Sequence, residues 1–413
     1  MKTKLQSSMN PMQRSTGLHH QRGQRIFALL IFGLVCGVFF AQIYYGIRHW
    51  SNATPPDEWH IGEWLINYQG GFTRRGLPGE IILQLSRWLM INPAHLTILI
   101  QTGVFTLFLL LAYILLRNTE RSVIAFTLLF SPAFLLFPLL EWPRVGVRKE
   151  VFLFIMFIIQ LLWLRSARLY TPVLLLFIGV GALFAVLSHE MLVIFLPYLV
   201  IATICAEQRF GRLSLATIIA LIPAIVAAII IFRNPQTTTA AIDAICASLG
   251  SSAPYDCLHQ NERLGAITFL AQSTGYGIAF TRHFTTTETT LVYLITGSLS
   301  LIPLLLAIAG YRLWQYLPPG TIIWIGGVWG LSIVATIPLF VVAADYGRFI
   351  NIHITCSTLL LAWLIQARQA RPIFASATAG WWIAAILFAG SWRLPMWLSF
   401  ATYTHAFSWL SLF

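Results

Sequence analysis

The stretch from Asp57 to Glu80 is rich in side chains that can perform acid–base chemistry or bind anions. Three of its carboxylates, Asp57, Glu58 and Glu63, lie in its first third. A carboxylate that is partly removed from water has a raised pKa, which suits a general base. We therefore take these three residues as candidate catalytic groups, and Asp57 and Glu58 are favoured because they come first after an apolar run. A solvated loop end is the structural alternative.

The same stretch continues with the run YQGGFTRRG over residues 68–76. Glycines allow backbone N–H groups to approach an anion closely, and guanidinium groups bind phosphate in a bidentate manner. Tyr68, Arg74, Arg75 and Glu80 are therefore candidate substrate-binding residues. The alternative is a glycine turn followed by arginines that face lipid headgroups.

Three more groups of charged residues interrupt apolar runs farther along the chain. Ionisable residues at the edge of an apolar segment are costly to bury, which favours a functional role. The alternatives are charges that merely flank a span and, for the last pair, a local ion pair three residues apart. These further candidate substrate-binding residues are Arg144, Arg148, Lys149 and Glu150, then His189 and Glu190, then Asp345 and Arg348.

The composition indicates an all-α membrane protein. Charged residues make up 10% of the 413 residues, apolar residues 58%, and the mean hydropathy is +0.76. A soluble domain of this length carries roughly 25% charged residues. Backbone groups in lipid must be paired within the segment, so helices are the expected spans. We attribute the net charge of +12 to basic loops on one membrane face and predict no nucleic-acid partner.

The apolar runs predict a polytopic helical bundle of 11–12 transmembrane helices. Residues 396–413 form either an interfacial segment or the twelfth span. The eleven predicted spans are 26–47, 94–116, 122–140, 151–164, 171–188, 191–206, 213–232, 290–311, 321–343, 350–366 and 379–391.

The distribution of charge predicts the orientation of this bundle. Residues 1–25 form a basic cytoplasmic tail, and residues 26–413 form a single membrane domain with long outer loops at 48–93 and 233–289. With the N-terminus inside, the cytoplasmic face receives 14 of the 26 Lys and Arg residues and two acids. A basic inner face is what membrane insertion requires. The outer face receives all the candidate groups, so we expect the site on that face. The membrane is predicted to be the inner membrane of a bacterium.

The two outer loops carry further structural signals. Apolar residues at helical spacing in the first loop, including Trp59, Trp64 and Trp88, suit helices that lie along the membrane surface among lipid headgroups. Cys246 and Cys257 share the second loop, where an oxidising environment favours a disulfide. The chain has no zinc-type cysteine spacing and no nucleotide-binding glycine motif. We predict no cofactor, although a divalent metal is compatible with the site.

This layout resembles the GT-C superfamily of membrane glycosyltransferases: a first span, a long acidic outer loop with surface helices, then a multi-helix body. The run NYQGGFTRRGLPGE over residues 67–80 also resembles uncharacterised membrane proteins of bacterial surface-polysaccharide gene clusters. The resemblance implies a polyprenyl-phosphate-linked sugar donor and a glycan or lipid acceptor. It also implies that Asp57 or Glu58 corresponds to the catalytic carboxylate. The chain departs from the pattern because its acids lie well past the first span and a D-x-D motif is missing.

Two other functions are compatible with the same residues. A polysaccharide polymerase that joins lipid-linked repeat units would use similar arginines on the same face. A transporter or flippase for a lipid-linked or anionic solute would be favoured by charges along the centres of the spans. The candidate charges lie instead at one rim, which favours chemistry over transport.

The predicted orientation is tested by cysteine substitution at Ser51 and Thr237, one in each long outer loop. We expect both cysteines to react with a membrane-impermeant reagent in intact cells, because both loops face outward. Reaction of both positions only after the cells are permeabilised would contradict this topology.

Overall fold

The computed structural model describes residues 11–51, 57–141, 148–166, 171–259, 264–373 and 378–407. Within these ranges every regular element is a helix, which agrees with the predicted all-α class. The first ten α-helices are α1 (Pro11–Ser51), α2 (Gly62–Leu65), α3 (Gly76–Leu89), α4 (Pro93–Leu116), α5 (Val123–Leu129), α6 (Phe137–Leu140), α7 (Val151–Arg165), α8 (Thr171–Ser188), α9 (Pro197–Glu207) and α10 (Arg212–Arg233).

The second half of the described chain continues in the same way. Its α-helices are α11 (Thr239–Leu249), α12 (Tyr255–Leu258), α13 (Thr274–Phe284), α14 (Thr287–Gly310), α15 (Pro319–Thr336), α16 (Leu339–Val342), α17 (Tyr346–Ala367), α18 (Ala379–Gly390) and α19 (Tyr403–Ala406). Short 3-10 helices lie at Glu190–Phe195, Gly250–Ser252, Thr268–Ala271, Leu313–Tyr316 and Leu398–Phe400.

Eight segments of the described chain are long and apolar enough to cross a membrane, which makes this a multi-pass integral membrane protein. They are Ile26–Arg48, Pro93–Leu116, Thr171–Ser188, Glu190–Glu207, Arg212–Arg233, Thr287–Gly310, Pro319–Val342 and Tyr346–Ala367. The apolar helices α7 and α18 are shorter than a full span.

Two of these segments form the centre of the bundle. In Glu190–Glu207 and Tyr346–Ala367, 72% of the residues in an 18-residue stretch are buried inside the protein, whereas the same share is 11–39% in the other six spans. The remaining helices surround this centre, with α8 packed on α10, α1 on α4, and α14 on α17. Helices with a largely exposed apolar surface present that surface to lipid, because lipid tails are as apolar as their side chains.

The prediction of one span over 122–140 is wrong. Ser122 caps α5 by accepting a hydrogen bond from the backbone of Ala125, but α5 ends at Leu129 and α6 starts only at Phe137. Pro132 lies in the interruption, where its ring disfavours a helical conformation of the preceding residue and removes a backbone donor. Phe134 and Leu135 of the interruption line a cavity together with Val151 at the start of α7.

The described part of the C-terminal segment does not form a twelfth span. Its residues form the 3-10 helix Leu398–Phe400 and the single turn α19. The segment folds back on itself, since the backbone N–H of Arg393 donates to the carbonyl of Ala406 at 2.8 Å. The backbone N–H of Met396 donates to the carboxylate of Glu141 at 3.2 Å. These contacts attach the segment to the end of α6.

The described part of the first long loop forms two helices, of which α3 exposes one face whereas all four residues of α2 are buried. On α3, Trp88 is 78% exposed, which fits a helix that lies along the membrane surface. Trp64 on α2 is fully buried and packs against Phe152 of α7. The prediction that Trp64 lies among lipid headgroups is therefore wrong, because α2 inserts into the core. Gly79 permits this packing, since a Cβ there would overlap the carbonyl of Ile66.

The second long loop packs on the first. The side chain of Asn67 donates to the hydroxyl of Ser248 at 3.0 Å, and the hydroxyls of Thr73 and Thr237 are 2.6 Å apart. A Cβ at Gly70 would overlap the backbone of Ala241, so only glycine allows the loop to approach α11 this closely. The structure joins Cys246 and Cys257 in a disulfide that ties α11 to α12.

Candidate active site

Ten titratable side chains from four segments meet at one end of the bundle, and we call them the charge cluster. All ten are candidates from the sequence, and they come from the first long loop, the start of α7, the α8–α9 junction and the start of α17. The charge cluster consists of Glu63, Arg74, Arg75, Arg148, Lys149, Glu150, His189, Glu190, Asp345 and Arg348.

The carboxylate of Glu63 lies at the centre of the charge cluster and is 2% exposed. Its Oε2 accepts a hydrogen bond from Nη1 of Arg148 at 2.9 Å, while its Oε1 lies 3.6 Å from Nη2 of Arg348. Nε2 of His189 lies 3.5 Å from the same Oε1. Burial alone would raise the pKa of Glu63, but the charges of Arg348 and Arg148 outweigh it and hold that pKa well below its usual range. Glu63 is therefore a fixed negative charge and a poor general base.

Arg348 joins Glu63 to two other carboxylates. Its Nε pairs with Glu150, and its Nη1 donates to Oδ2 of Asp345 at 3.1 Å. The side chain of Asp345 is 23% exposed, whereas Glu63 and Glu150 are at most 5% exposed. Burial raises the pKa of Asp345, against the lowering effect of Arg148. Asp345 thus combines access to solvent with a raised pKa.

Arg74 and Arg75 bind a carboxylate of the protein itself. Arg75 forms a bidentate pair with Glu190, with Nε 3.0 Å from Oε2 and Nη2 2.9 Å from Oε1. Nη1 of Arg74 lies 3.5 Å from the same Oε1. Because Glu190 already accepts these donors, the arginine pair is a clamp between the first long loop and the α8–α9 junction.

Lys149 holds the same loop from the other side. Its Nζ donates to the backbone carbonyl of Arg75 at 3.0 Å, and its side chain is fully buried. Arg75 adopts a left-handed backbone conformation with φ of 66°, so its carbonyl needs a fixed partner to hold this uncommon geometry. Burial lowers the pKa of Lys149 to about 7, against the raising effect of Glu63.

A small cavity borders the charge cluster between α4, α6, α7 and α17. Its volume is about 60 Å³. Arg148, Glu150 and Arg348 form its polar wall, together with Asn351 and Thr355 of α17. Its other wall is mostly apolar and aromatic, formed by Phe105, Phe108, Leu109, Phe134, Leu135, Phe137, Pro138, Val151, Phe154 and Met396.

Several polar atoms at this wall have no hydrogen-bond partner within the described part of the chain. They are Nε and Nη2 of Arg148, Nη2 of Arg348 and Oε2 of Glu150. A buried donor without an acceptor costs about 1–3 kcal/mol, and more when it is charged. Unpaired guanidinium donors and one unpaired carboxylate oxygen therefore lie together among the residues that line this cavity.

Asp57 and Glu58, the favoured catalytic residues, lie outside the charge cluster. Oδ1 of Asp57 accepts from the backbone N–H of Trp59 at 3.0 Å and lies 2.8 Å from Nδ1 of His60. Burial alone would raise the pKa of Asp57, but the hydrogen bond and charge of His60 more than offset it and lower that pKa. Asp57 thus stabilises its own turn and is a poor proton acceptor.

Glu58 faces the second long loop. Its backbone carbonyl accepts from Ala266 at 3.0 Å, and a Cβ on Gly265 would touch both Glu58 and Asp256. Burial raises the pKa of Asp256, and the charge of Glu58 adds to this effect. The structure therefore separates the three predicted catalytic acids, and only Glu63 reaches the charge cluster.

The remaining predicted site residues are Tyr68 and Glu80, which contact nearby residues of the same loop, and Arg144. Carboxylate oxygens of Glu80 accept from the backbone of Tyr68 at 3.0 Å and from the side chain of Gln84 at 2.7 Å. Tyr68 stacks on Phe72 with ring centroids 5.7 Å apart. Both residues therefore brace the loop that carries the arginine clamp. Arg144 lies outside the described residues.

Sequence reasoning missed two features of this end of the bundle. Glu141 is buried at the end of α6, where its Oε1 lies 3.0 Å from Nε2 of His405. No local signal links these two positions, which are 264 residues apart. Asn351 and Thr355 follow Arg348 at spacings of three and seven residues, which places all three on one face of α17. This periodicity was a usable signal.

Comparison of the chain with protein-family models, with curated proteins and with solved structures finds no match. Among the described residues, no group of three or more His, Cys, Asp and Glu side chains is arranged to hold a metal ion.

Breaking the central ion pair is expected to destabilise the protein. Arg148→Met leaves the Glu63 carboxylate buried without its nearest cation, which costs about 3–5 kcal/mol, and Glu63→Met leaves the opposite charge unpaired. The double variant is expected to recover part of this loss, because both desolvated charges are gone. Unfolding in detergent measures these changes, with the exposed Arg282→Met as control. Single variants as stable as Arg282→Met would refute the central role of this pair.

Lys149 is expected to make stability depend on pH. Its pKa is about 7 when folded and near 10.5 when unfolded, so the unfolded chain binds more protons between these values. The contribution is fully present above the unfolded pKa and is lost as pH falls toward the folded pKa. The melting temperature of the wild type, relative to Lys149→Met, should therefore rise from about pH 7 to about pH 10. A constant difference across this window would contradict burial of a titrating amine.

Proposed function

We propose that the chain is a membrane glycosyltransferase of GT-C type. It transfers a sugar from a polyprenyl-phosphate-linked donor to a glycan or lipid acceptor of the cell envelope. The observation that supports this proposal most directly is the pair of buried arginines, Arg148 and Arg348, with unpaired donors beside an apolar cavity.

A phosphate group fits the unpaired donors. Arg148 is about nine-tenths buried, and two of its three guanidinium nitrogens have no acceptor within the described residues. Guanidinium groups bind phosphate through two parallel hydrogen bonds, which is the geometry that Arg148 leaves available. Arg348 lines the same cavity and supplies a second positive charge, while its Nη2 lies 3.6 Å from Oε1 of Glu63. A bound phosphate would relieve the cost of leaving these donors unpaired.

The apolar wall of the cavity matches the lipid part of the donor in chemistry, and the cavity, at about 60 Å³, has to widen to admit it. Phe105 and Phe108 of α4, Phe137 of α6 and Phe154 of α7 line it opposite the arginines. The first isoprene units of a polyprenyl chain are branched and apolar, so they match this surface. The interruption between α5 and α6 brings the buried side chains of Phe134 and Leu135 to the same wall.

Asp345 is the carboxylate best suited to act as general base. It is the most exposed acid of the charge cluster, and its pKa is raised, whereas Glu63 is held ionised by two arginines. A base with a raised pKa accepts a proton more effectively at neutral pH. This assignment replaces Asp57 and Glu58 as the preferred base.

The proposed reaction proceeds with inversion at the anomeric carbon. Asp345 takes the proton from an acceptor hydroxyl, and the hydroxyl oxygen forms a bond to the anomeric carbon. The bond from that carbon to the phosphate oxygen breaks, and its electron pair leaves with the lipid phosphate. Arg148 and Arg348 stabilise the charge that develops on the phosphate in the transition state. The clamp of Arg75 on Glu190 keeps the first long loop in place over the site.

Two variants and one control test this proposal. Purified protein is expected to bind decaprenyl phosphate at least tenfold more tightly than decaprenol, because one charged hydrogen bond contributes about 1.5–3 kcal/mol. Arg148→Gln and Arg348→Gln should reduce this preference, while the exposed Arg282→Gln should keep it. Melting temperatures measured in parallel identify any variant that fails to fold. Equal binding of the two lipids by the wild type would contradict the phosphate site.

Turnover separates binding from catalysis in the same experiment. With a panel of polyprenyl-phosphate-linked hexoses as donors, Asp345→Asn should lose about 10²–10⁴ in rate yet still bind decaprenyl phosphate. Full activity of Asp345→Asn would remove it as the base. Products that carry many added units would favour the polymerase alternative, and lipid movement without a new glycosidic bond would favour the transporter.

A further inference from the structure

A second polar cavity lies at the end of the bundle opposite the charge cluster. Helices α4, α7 and α17 all begin at the charged end, so their C-terminal ends meet at the other end. Arg121 follows α4, Arg165 ends α7 and Arg371 follows α17, and the three arginines line one cavity of about 610 Å³. This volume is in the range of about 300–1,000 Å³ that small-molecule sites occupy.

The cavity has the charge and the donors of an anion site. Its other polar lining residues are Asn118, Glu120, Gln366 and Gln369. Three guanidinium groups and a single carboxylate therefore line the cavity, which gives the lining a net positive charge. The side-chain oxygen of Gln366 already accepts from Nη1 of Arg165 at 3.0 Å, which fixes that arginine at the wall.

The arginines of this cavity differ from an arginine that simply caps a helix. Lys and Arg side chains near helix C-termini commonly hydrogen-bond the last carbonyls. Arg368 does this nearby, with Nη2 2.9 Å from the carbonyl of Cys205 near the end of α9. Arg121 instead lies over the ring of Trp382 at 5.5 Å. In the described structure Arg165 is held by Gln366, so neither it nor Arg121 is committed to a helix carbonyl.

We propose that this cavity binds a phosphate-bearing anion, at a site separate from the charge cluster and independent of the proposed transferase activity. Basic pockets between the ends of transmembrane helices bind the phosphates of anionic lipid headgroups. The position of Trp382 favours a lipid source, because α18 exposes the apolar side chains of Trp381, Ile383 and Ile386 beside it, which suits contact with lipid tails. The two phosphates of cardiolipin match the three arginines better than one phosphate does.

Native mass spectrometry of the detergent-purified full chain tests this site. Cardiolipin is the lipid probe, phosphatidylcholine is the neutral comparison, and inorganic pyrophosphate is the soluble probe. We expect retention of cardiolipin over phosphatidylcholine, and at least a tenfold loss of retention in Arg121→Gln/Arg165→Gln/Arg371→Gln. The matched control is Arg209→Gln/Arg212→Gln/Arg312→Gln, which likewise removes three exposed arginines at the same end of the bundle but outside the cavity.

The outcomes distinguish the source of the phosphate. Arginine-dependent retention of cardiolipin supports the site and a lipid ligand, and arginine-dependent binding of pyrophosphate alone supports the site with a soluble ligand. Equal loss in the control variant, or no dependence on the three arginines with either probe, would overturn the proposal. Melting temperatures near that of the wild type show that the triple variant folds. If it does not fold, the single variants Arg121→Gln and Arg371→Gln are measured in its place, with the same expected direction.

Discussion

The buried carboxylate of Glu63 is the constraint on which this end of the molecule depends. A charge removed from water is tolerated only when opposite charges surround it. Arg148 lies just before α7 and Arg348 in the first turn of α17, and both reach Glu63 on α2. The pairing thus ties a surface loop to the starts of two helices. This pairing accounts for the charged residues at the starts of α7 and α17.

The same constraint orders the two long loops. Once α2 is buried, the chain that follows must cross the charged end, where Arg75 pairs with Glu190 and Lys149 holds the carbonyl of Arg75. Gly70 then lets this stretch approach α11 of the second long loop, which the disulfide ties to α12. The arginine pair that looked like an anion-binding loop is therefore a clamp. Most of the unpaired guanidinium donors belong instead to Arg148, just before α7, and Arg348 in the first turn of α17.

The bundle separates two kinds of charge along α4, α7 and α17. At the starts of α7 and α17, acids and bases are buried and largely neutralise one another, leaving a few unpaired guanidinium atoms beside a partly apolar cavity. At the C-terminal ends of α4, α7 and α17, three arginines face solvent in an open cavity. Burial makes the first set selective for a ligand that pairs with its donors, because each buried donor left unpaired costs free energy. Exposure makes the second set sensitive to salt, because surface charges are screened.

Composition and apolar runs alone determined the helical membrane class, most of the spans, the break at His189–Glu190 and the gathering of charges at one end. These features follow from local rules: lipid demands long apolar helices, and ionisable residues avoid its interior. Only the tertiary structure decided which charges meet. It paired Asp57 with His60 and brought Glu58 beside Asp256. It also buried Trp64 in the core and divided residues 122–140 into two helices. Most of these outcomes depend on packing between segments distant in the chain, and no periodicity within one segment records its partner in another.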